Sequence, residues 1–125
     1  MKTVLLVDDE HAIIDALSGI LEDEGYRVVT AANGREALAR LEAHLPPPDV
    51  ALVDVMMPVM DGRELLQRMQ ADARWKHIPV VMMSAVPRSI LGRETELACA
   101  DFFQKPFDLW QLLDRLRELS GMGKA

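Results

Sequence analysis

The chain opens with Val4-Leu5-Leu6-Val7, an unbroken apolar run that ends on two aspartates. A run so short and so rich in branched side chains predicts a strand buried on both faces. Ala12, Ile13, Leu17, Ile20 and Leu21 then recur at helical spacing, and Gly25 ends that segment. The same alternation continues to the far end. Further strands are predicted over 27–30, 50–53, 78–83 and 102–104. Between them lie helical stripes carried by Ala37, Leu38, Leu41 and Leu45, and by Leu65, Leu66 and Met69. Ile90, Leu91, Glu94, Leu97 and Ala98 suggest a fourth helix, weakened by Gly92. Leu109, Leu112, Leu113 and Leu116 form the buried face of a fifth. Asp61 and Asp108 are placed to cap their helices, Asn33-Gly34 reads as a turn, and Pro46-Pro47-Pro48 stops the second helix.

Five strand-then-helix units in succession predict an α/β fold, a doubly wound five-stranded parallel sheet with helices on both faces. Polar ligands in such folds bind beyond the carboxyl ends of the strands, near the switch in strand order. The 125 residues suit one domain, 1–125, with an ordered core over about 3–119 and a frayed tail over 120–125.

Composition narrows the function. Half the residues are hydrophobic, enough for a packed interior. A net charge of −6 argues against direct nucleic-acid binding and suits basic partners or a bound cation. Cys99 is the only cysteine, which excludes an internal disulfide and fits a reducing compartment. No apolar run approaches the roughly 18 residues of a membrane span, and the first is too short for a signal-peptide core. A soluble, cytoplasmic protein is expected.

Three carboxylates fall at strand ends: Asp8 and Asp9 after the first strand, Asp54 after the third. If those strands are neighbours, the acids converge on one edge of the sheet. Crowded like charges are costly, so a cation is expected among them. Hard oxygen ligands point to Mg2+, with Mn2+ and Ca2+ still open. Lys105, after the fifth strand, adds a positive charge that can hold an anion, and Ser84, at the end of the fourth, adds a hydroxyl donor. Singly, each has an ordinary explanation as a cap or a solvated side chain. Together they form an ordered set: Asp-Asp, Asp, Ser and Lys-Pro after strands one, three, four and five.

That set resembles the receiver domain of two-component response regulators, the CheY-like superfamily. The strongest stretches are Val7-Asp8-Asp9-Glu10, the run from Asp54 through Pro58 to Asp61-Gly62, and Lys105-Pro106-Phe107. The resemblance spans Val4 to about Leu119. It implies a flavodoxin-like sheet of order 2-1-3-4-5, with Asp54 as the phosphoacceptor. Asp9 would bind Mg2+ directly, Asp8 largely through water, and the Met56 backbone carbonyl would complete the protein ligands beside Asp54. Ser84 would contact the phosphoryl group and move on activation, Lys105 would pair with its oxygens, and Phe102 would be the switch aromatic. The Lys105-Pro106 bond would be cis. The phosphodonor would be a phosphohistidine on a histidine kinase or histidine phosphotransfer protein. The output would be altered binding of a protein effector or output domain through helix four, strand five and helix five, with the chain a monomer or a phosphorylation-dependent dimer.

The chain departs from the family pattern in places. Cys99-Ala100-Asp101 stands where relatives often carry Gly-Ala-Asp, so Cys99 must tolerate or avoid a left-handed backbone. Met56 and Val86, two residues after Asp54 and Ser84, are apolar and predict poor orientation of attacking water. An aspartyl-phosphate hydrolase would usually place a second aspartate where Met56 stands, so catalysis beyond self-phosphorylation and self-dephosphorylation is not expected. A phosphorylation-independent adaptor on the same fold is the remaining alternative.

Overall fold

The computed structural model describes residues 1–44, 46–90, 92–93 and 98–122. Its elements are β1 (Thr3–Val7), α1 (His11–Asp23), β2 (Arg27–Ala31), α2 (Gly34–Ala43), β3 (Val50–Asp54), α3 (Gly62–Gln70), β4 (Val80–Ser84), β5 (Asp101–Gln104) and α4 (Leu109–Ser120). All neighbouring strands pair in parallel, in the order β2-β1-β3-β4-β5, as expected. The order reverses between β1 and β3, the strands whose ends carry Asp8, Asp9 and Asp54.

Alternation along the strands builds two apolar layers. Leu5, Val7, Ala51 and Val53 face Ala37, Leu41, Leu65, Leu66 and Met69 of α2 and α3. Val4, Leu6, Val50 and Leu52 face Leu17 and Leu21 of α1 and Leu112, Leu113 and Leu116 of α4. Every residue of β1, β3 and β4 is buried, which explains why these strands read as continuous apolar runs.

Caps set the helix starts. The Asp61 carboxylate accepts from the Glu64 amide, and that of Asp108 from the Trp110 and Gln111 amides. Asn33 is the cap of α2 rather than part of a free turn: its side-chain oxygen accepts from the Glu36 amide, and Gly34 begins the helix. The fourth strand begins two residues later than the apolar run implied. The Ile78 amide donates to the Trp75 carbonyl, so Ile78 is buried in a turn, and pairing starts at Val80. Of the expected fourth helix, Ile90 ends a 3-10 turn, Arg88–Ile90; residues 91 and 94–97 lie outside the described residues. Cys99 is buried and avoids the left-handed conformation.

The loop from β3 to α3 is pinned at both ends. The Gly62 amide donates to the Val55 carbonyl, and a Cβ at Gly62 would collide with the Asp54 carbonyl. The Gly34 amide donates to the Met60 carbonyl. Between these ties Val59 adopts φ 72°, the one non-glycine residue at positive φ among those described. A β-branched side chain is disfavoured there, and Val59 is 75% exposed, so little burial offsets the strain. Val59→Asn is expected to stabilise the fold by about 1 kcal/mol, because Asn tolerates this region. Urea denaturation checks this; an equal or lower midpoint would refute the strain.

Candidate functional site

The strand ends deliver their acids to one crevice. Asp8, Asp9 and Asp54 each present a carboxylate oxygen, and those oxygens lie within 4.8 Å of one another. Asp8 and Asp54 are buried, at 1% and 4% exposure, while Asp9 is exposed. The parallel register causes this convergence: β1 pairs with β3, so the residues following Val7 and Val53 leave the sheet side by side.

Lys105 reaches the same crevice from β5. Its Nζ lies 3.4 Å from Asp8 Oδ2 and 3.8 Å from Asp54 Oδ1. The Lys105 amide donates to the Ser84 carbonyl at 2.8 Å, which fixes the lysine's backbone to the end of β4. Asp8 is held from below as well, its Oδ1 accepting from the Glu10 amide at 2.9 Å. Ser84 is fully buried, and its Oγ accepts from the Val86 amide at 3.1 Å, so it caps its own turn. Lys105-Pro106 is cis, as expected.

Burial and the neighbouring Asp8 carboxylate push the Asp54 carboxyl up from 3.8 to about 6, against the opposing pull of Lys105 and of the Met56 amide, which donates to it. The acids fit a divalent cation. They are hard oxygen donors, close enough to share one ion, with more negative charge than one lysine cancels.

The other expected residues are divided between site and core. Met56 is 57% exposed beside Asp54. Val86 is half-buried against the α2–α3 layer. Phe102 is half-buried on that layer, with the Arg88 guanidinium 5.8 Å from its ring centre. Phe103 is half-buried on the opposite layer, edge-on to Phe107 with ring centres 6.0 Å apart. Trp75 is buried under Arg74, whereas Trp110 is 71% exposed. Gly62 closes the motif run from Asp54 but was given no role by sequence; its missing side chain lets α3 approach the Asp54 backbone.

The sequence profile described as "Response regulator receiver domain" matches residues 4–117. The chain belongs to the response regulator receiver domain family. Receiver domains are signalling domains of two-component systems, and they bind Mg2+ at an acidic pocket. This receiver domain is 37% identical to the response regulator GtcR of Aneurinibacillus migulanus over 93% of its length and 46% of GtcR. It is 38% identical to the response regulator Rre1 of Synechocystis over 98% of its length and 53% of Rre1. The chain thus spans about half the length of these curated relatives. Among solved structures it resembles the chemotaxis protein CheY4 of Vibrio cholerae, at 35% identity and TM-score 0.85, covering 95% of this chain and 98% of that one. It also resembles the response regulator TrrA of Thermotoga maritima, solved in complex with Mg(2+)-BeF, at 30% identity and TM-score 0.83, covering 95% and 99%. No helix among the described residues is long and apolar enough to cross a membrane.

The raised Asp54 has a consequence for stability. Because the folded state favours the protonated acid, the group's contribution is fully present below about 3.8 and is lost as pH rises through about 6. Without divalent ions, Asp54→Asn should therefore raise stability at pH 7.5 by roughly 3 kcal/mol, since each pKa unit is worth about 1.4 kcal/mol. The gain should shrink below pH 6 and vanish near pH 4. Urea titrations in EDTA at several pH values check this; a variant that is less stable at neutral pH would contradict it.

Proposed function

We propose that the domain accepts a phosphoryl group on Asp54 from a phosphohistidine, with Mg2+ bound by Asp8, Asp9 and Asp54, and that the acquired charge changes the surface it offers to a protein partner. The observation that carries this reading is the crevice itself: a buried carboxylate at the end of β3 with two acids and a lysine directed at it. No packing need explains three acids there, and unpaired charge at a buried site is costly. Asp9 would hold the ion directly and Asp8 largely through water, with Asp54 and the Met56 carbonyl completing the protein ligands.

In the transfer step, an Asp54 carboxylate oxygen attacks phosphorus in line. The phosphorus–nitrogen bond breaks, and its electron pair leaves with the imidazole. An acyl phosphate forms, and the protein's task is positioning and charge neutralisation. Bound Mg2+ would supply positive charge to the phosphoryl oxygens. Lys105 neutralises another of them, and the Ser84 hydroxyl donates once it leaves the Val86 amide. The product carries about −2 charge and new acceptor oxygens. Withdrawal of Ser84 toward them opens space beside β4, and Phe102 is the ring that responds.

Two surface features support a protein partner. Met56, Val59, Ile90 and Trp110, the large apolar side chains exposed beyond the N-terminal Met1 among the described residues, all follow the carboxyl ends of β3, β4 or β5. A separate groove of about 640 Å³ lies between β5 and α4, lined by Phe103, Phe107, Gln111, Asp114 and Glu118 among others. None of the three clustered carboxylates lines it, and we assign it to the output side, with the β4–β5 segment, β5 and α4. The donor is a histidine kinase or histidine phosphotransfer protein, and the receiver is an effector or an attached output domain.

Incubation with acetyl phosphate and Mg2+, followed by intact mass analysis, should show one added phosphoryl group, labile to hydroxylamine and absent from Asp54→Asn. Full labelling of Asp54→Asn would refute the assignment. The apolar Met56 and Val86 flank the approach of water to the acyl phosphate. Replacing both with polar residues (Met56→Asn with Val86→Gln) should speed dephosphorylation at least severalfold, read by the decay of the phosphorylated mass. An unchanged decay would remove water access as the limit.

A further inference from the structure

Among the described glycines, only Gly34 and Gly62 would bring an added Cβ into collision, and both bear on the loop between β3 and α3. At Gly62 the obstacle is the Asp54 carbonyl. At Gly34 it is Met60: a Cβ there would stand 2.7 Å from Met60 Cγ, 2.8 Å from its carbonyl oxygen and 2.9 Å from its Sδ. Neither glycine is at positive φ, so backbone conformation does not require it. Each opens a helix, where alanine is the better helix former, so the missing side chain is what the fold uses.

Met60 fills the space at Gly34 and is held on three sides. Its amide donates to the Pro58 carbonyl at 2.8 Å, closing a three-residue turn centred on Val59. Its carbonyl accepts from the Gly34 amide at 2.9 Å. Its side chain is buried in the layer that holds Ala37, Leu41, Leu65 and Leu66. Gly34 is itself fixed by the Asn33 cap on the Glu36 amide. At the other end of the loop the Val55 carbonyl takes the Gly62 amide. Met56, whose amide donates to Asp54, lies between these two ties.

We propose that Gly34 is a positioning residue for the metal site: by admitting Met60 against the first turn of α2, it sets the position of the loop whose Met56 carbonyl would complete the protein ligands. This inference rests on the reading of the crevice as the Mg2+ site. Gly34 supplies no ligand and acts through Met60. An added methyl at Gly34 must displace a backbone carbonyl as well as a flexible thioether, so the loop shifts. A small shift matters because Mg2+ demands near-ideal octahedral geometry. The β2–α2 junction thereby gains a part in metal affinity, although none of the three clustered acids belongs to it.

Gly34→Ala should weaken Mg2+ binding about tenfold, the loss typical when a residue that orients a ligand is changed, read by titrating Mg2+ into the domain and following its amide NMR shifts. In EDTA its Met56 amide resonance should also move, because that amide reports the loop beside Asp54 with no ion bound. Two controls separate positioning from lost stability. Gly19→Ala adds a Cβ with nothing within 4 Å, and Tyr26→Phe gives up a buried hydroxyl contact with Ser120 at the opposite edge of the sheet. Both should keep the parent's Mg2+ affinity and Met56 resonance. Should Gly34→Ala fail to fold, Met60→Ala decides. Emptying the seat from the other side should weaken Mg2+ binding severalfold, while Met60→Leu, which refills it, should stay within about twofold of the parent.

A folded Gly34→Ala with the parent's Mg2+ affinity, or with an unmoved Met56 resonance, would overturn the positioning role. So would parent-like affinity in Met60→Ala, or an equal loss of affinity in Tyr26→Phe. A parent that binds no Mg2+ would instead overturn the metal site itself.

Discussion

The structure turns on one unfavourable juxtaposition: three carboxylates within 4.8 Å at the carboxyl edge of a parallel sheet, two of them buried. Hydrophobic burial of β1 and β3 forces it. Once Val4–Val7 and Val50–Val53 pair in register, Asp8, Asp9 and Asp54 must emerge together, whatever their mutual repulsion. The rise of Asp54 toward 6 follows from the loss of water on burial and then from that repulsion. A core that contributes stability over its whole area can carry a local penalty of a few kcal/mol at one edge. The site is thus strained electrostatically before any ligand arrives, and cations are the species that relieve it.

The loops around this edge are organised to keep it accessible. The β3–α3 loop is tied by the Gly62 and Gly34 amides, which leaves Met56 and Val59 exposed between them. Ser84 and Lys105 belong to adjacent strand ends joined by a backbone hydrogen bond, so a change at one is transmitted to the other over a single contact. Under the proposed function, that bond would offer a short route from a charge acquired at Asp54 to Phe102, which lies on β5 three residues before Lys105. Elsewhere the frame is stiffened by ties remote from the site. Arg74, in the turn after α3, pairs with Glu42 of α2 and with Asp72 of its own turn, and Arg117 of α4 pairs with Glu24 at the end of α1.

Much of this was legible from residue order alone, for a physical reason. Strands buried on both faces must be apolar throughout, so the first polar residue after each run marks its end, and Asp8 and Asp54 stand at such ends; β5 is only half-buried and ends on Gln104, so Lys105 follows it without that signal. Single-residue details were less visible. Ile78 looks like the start of a strand because it is apolar, yet its amide closes a turn on Trp75 and its side chain is buried without pairing. The positive φ of Val59 has no local signal, since a branched apolar side chain ordinarily argues against that conformation; it is imposed by the anchors on both sides of the loop. The burial of Ser84 and its bond to the Val86 amide likewise depend on how β4 ends, which composition does not encode.

The most direct measurement is a crystal structure of the domain with Mn2+ and beryllofluoride, using the anomalous signal of manganese to locate the ion. The account predicts a single strong peak coordinated by the carboxylates of Asp9 and Asp54, with the fluoride-bearing group on Asp54 and the Lys105 ammonium turned onto a fluorine. An ion located away from these carboxylates, or a beryllofluoride group attached anywhere but Asp54, would contradict it.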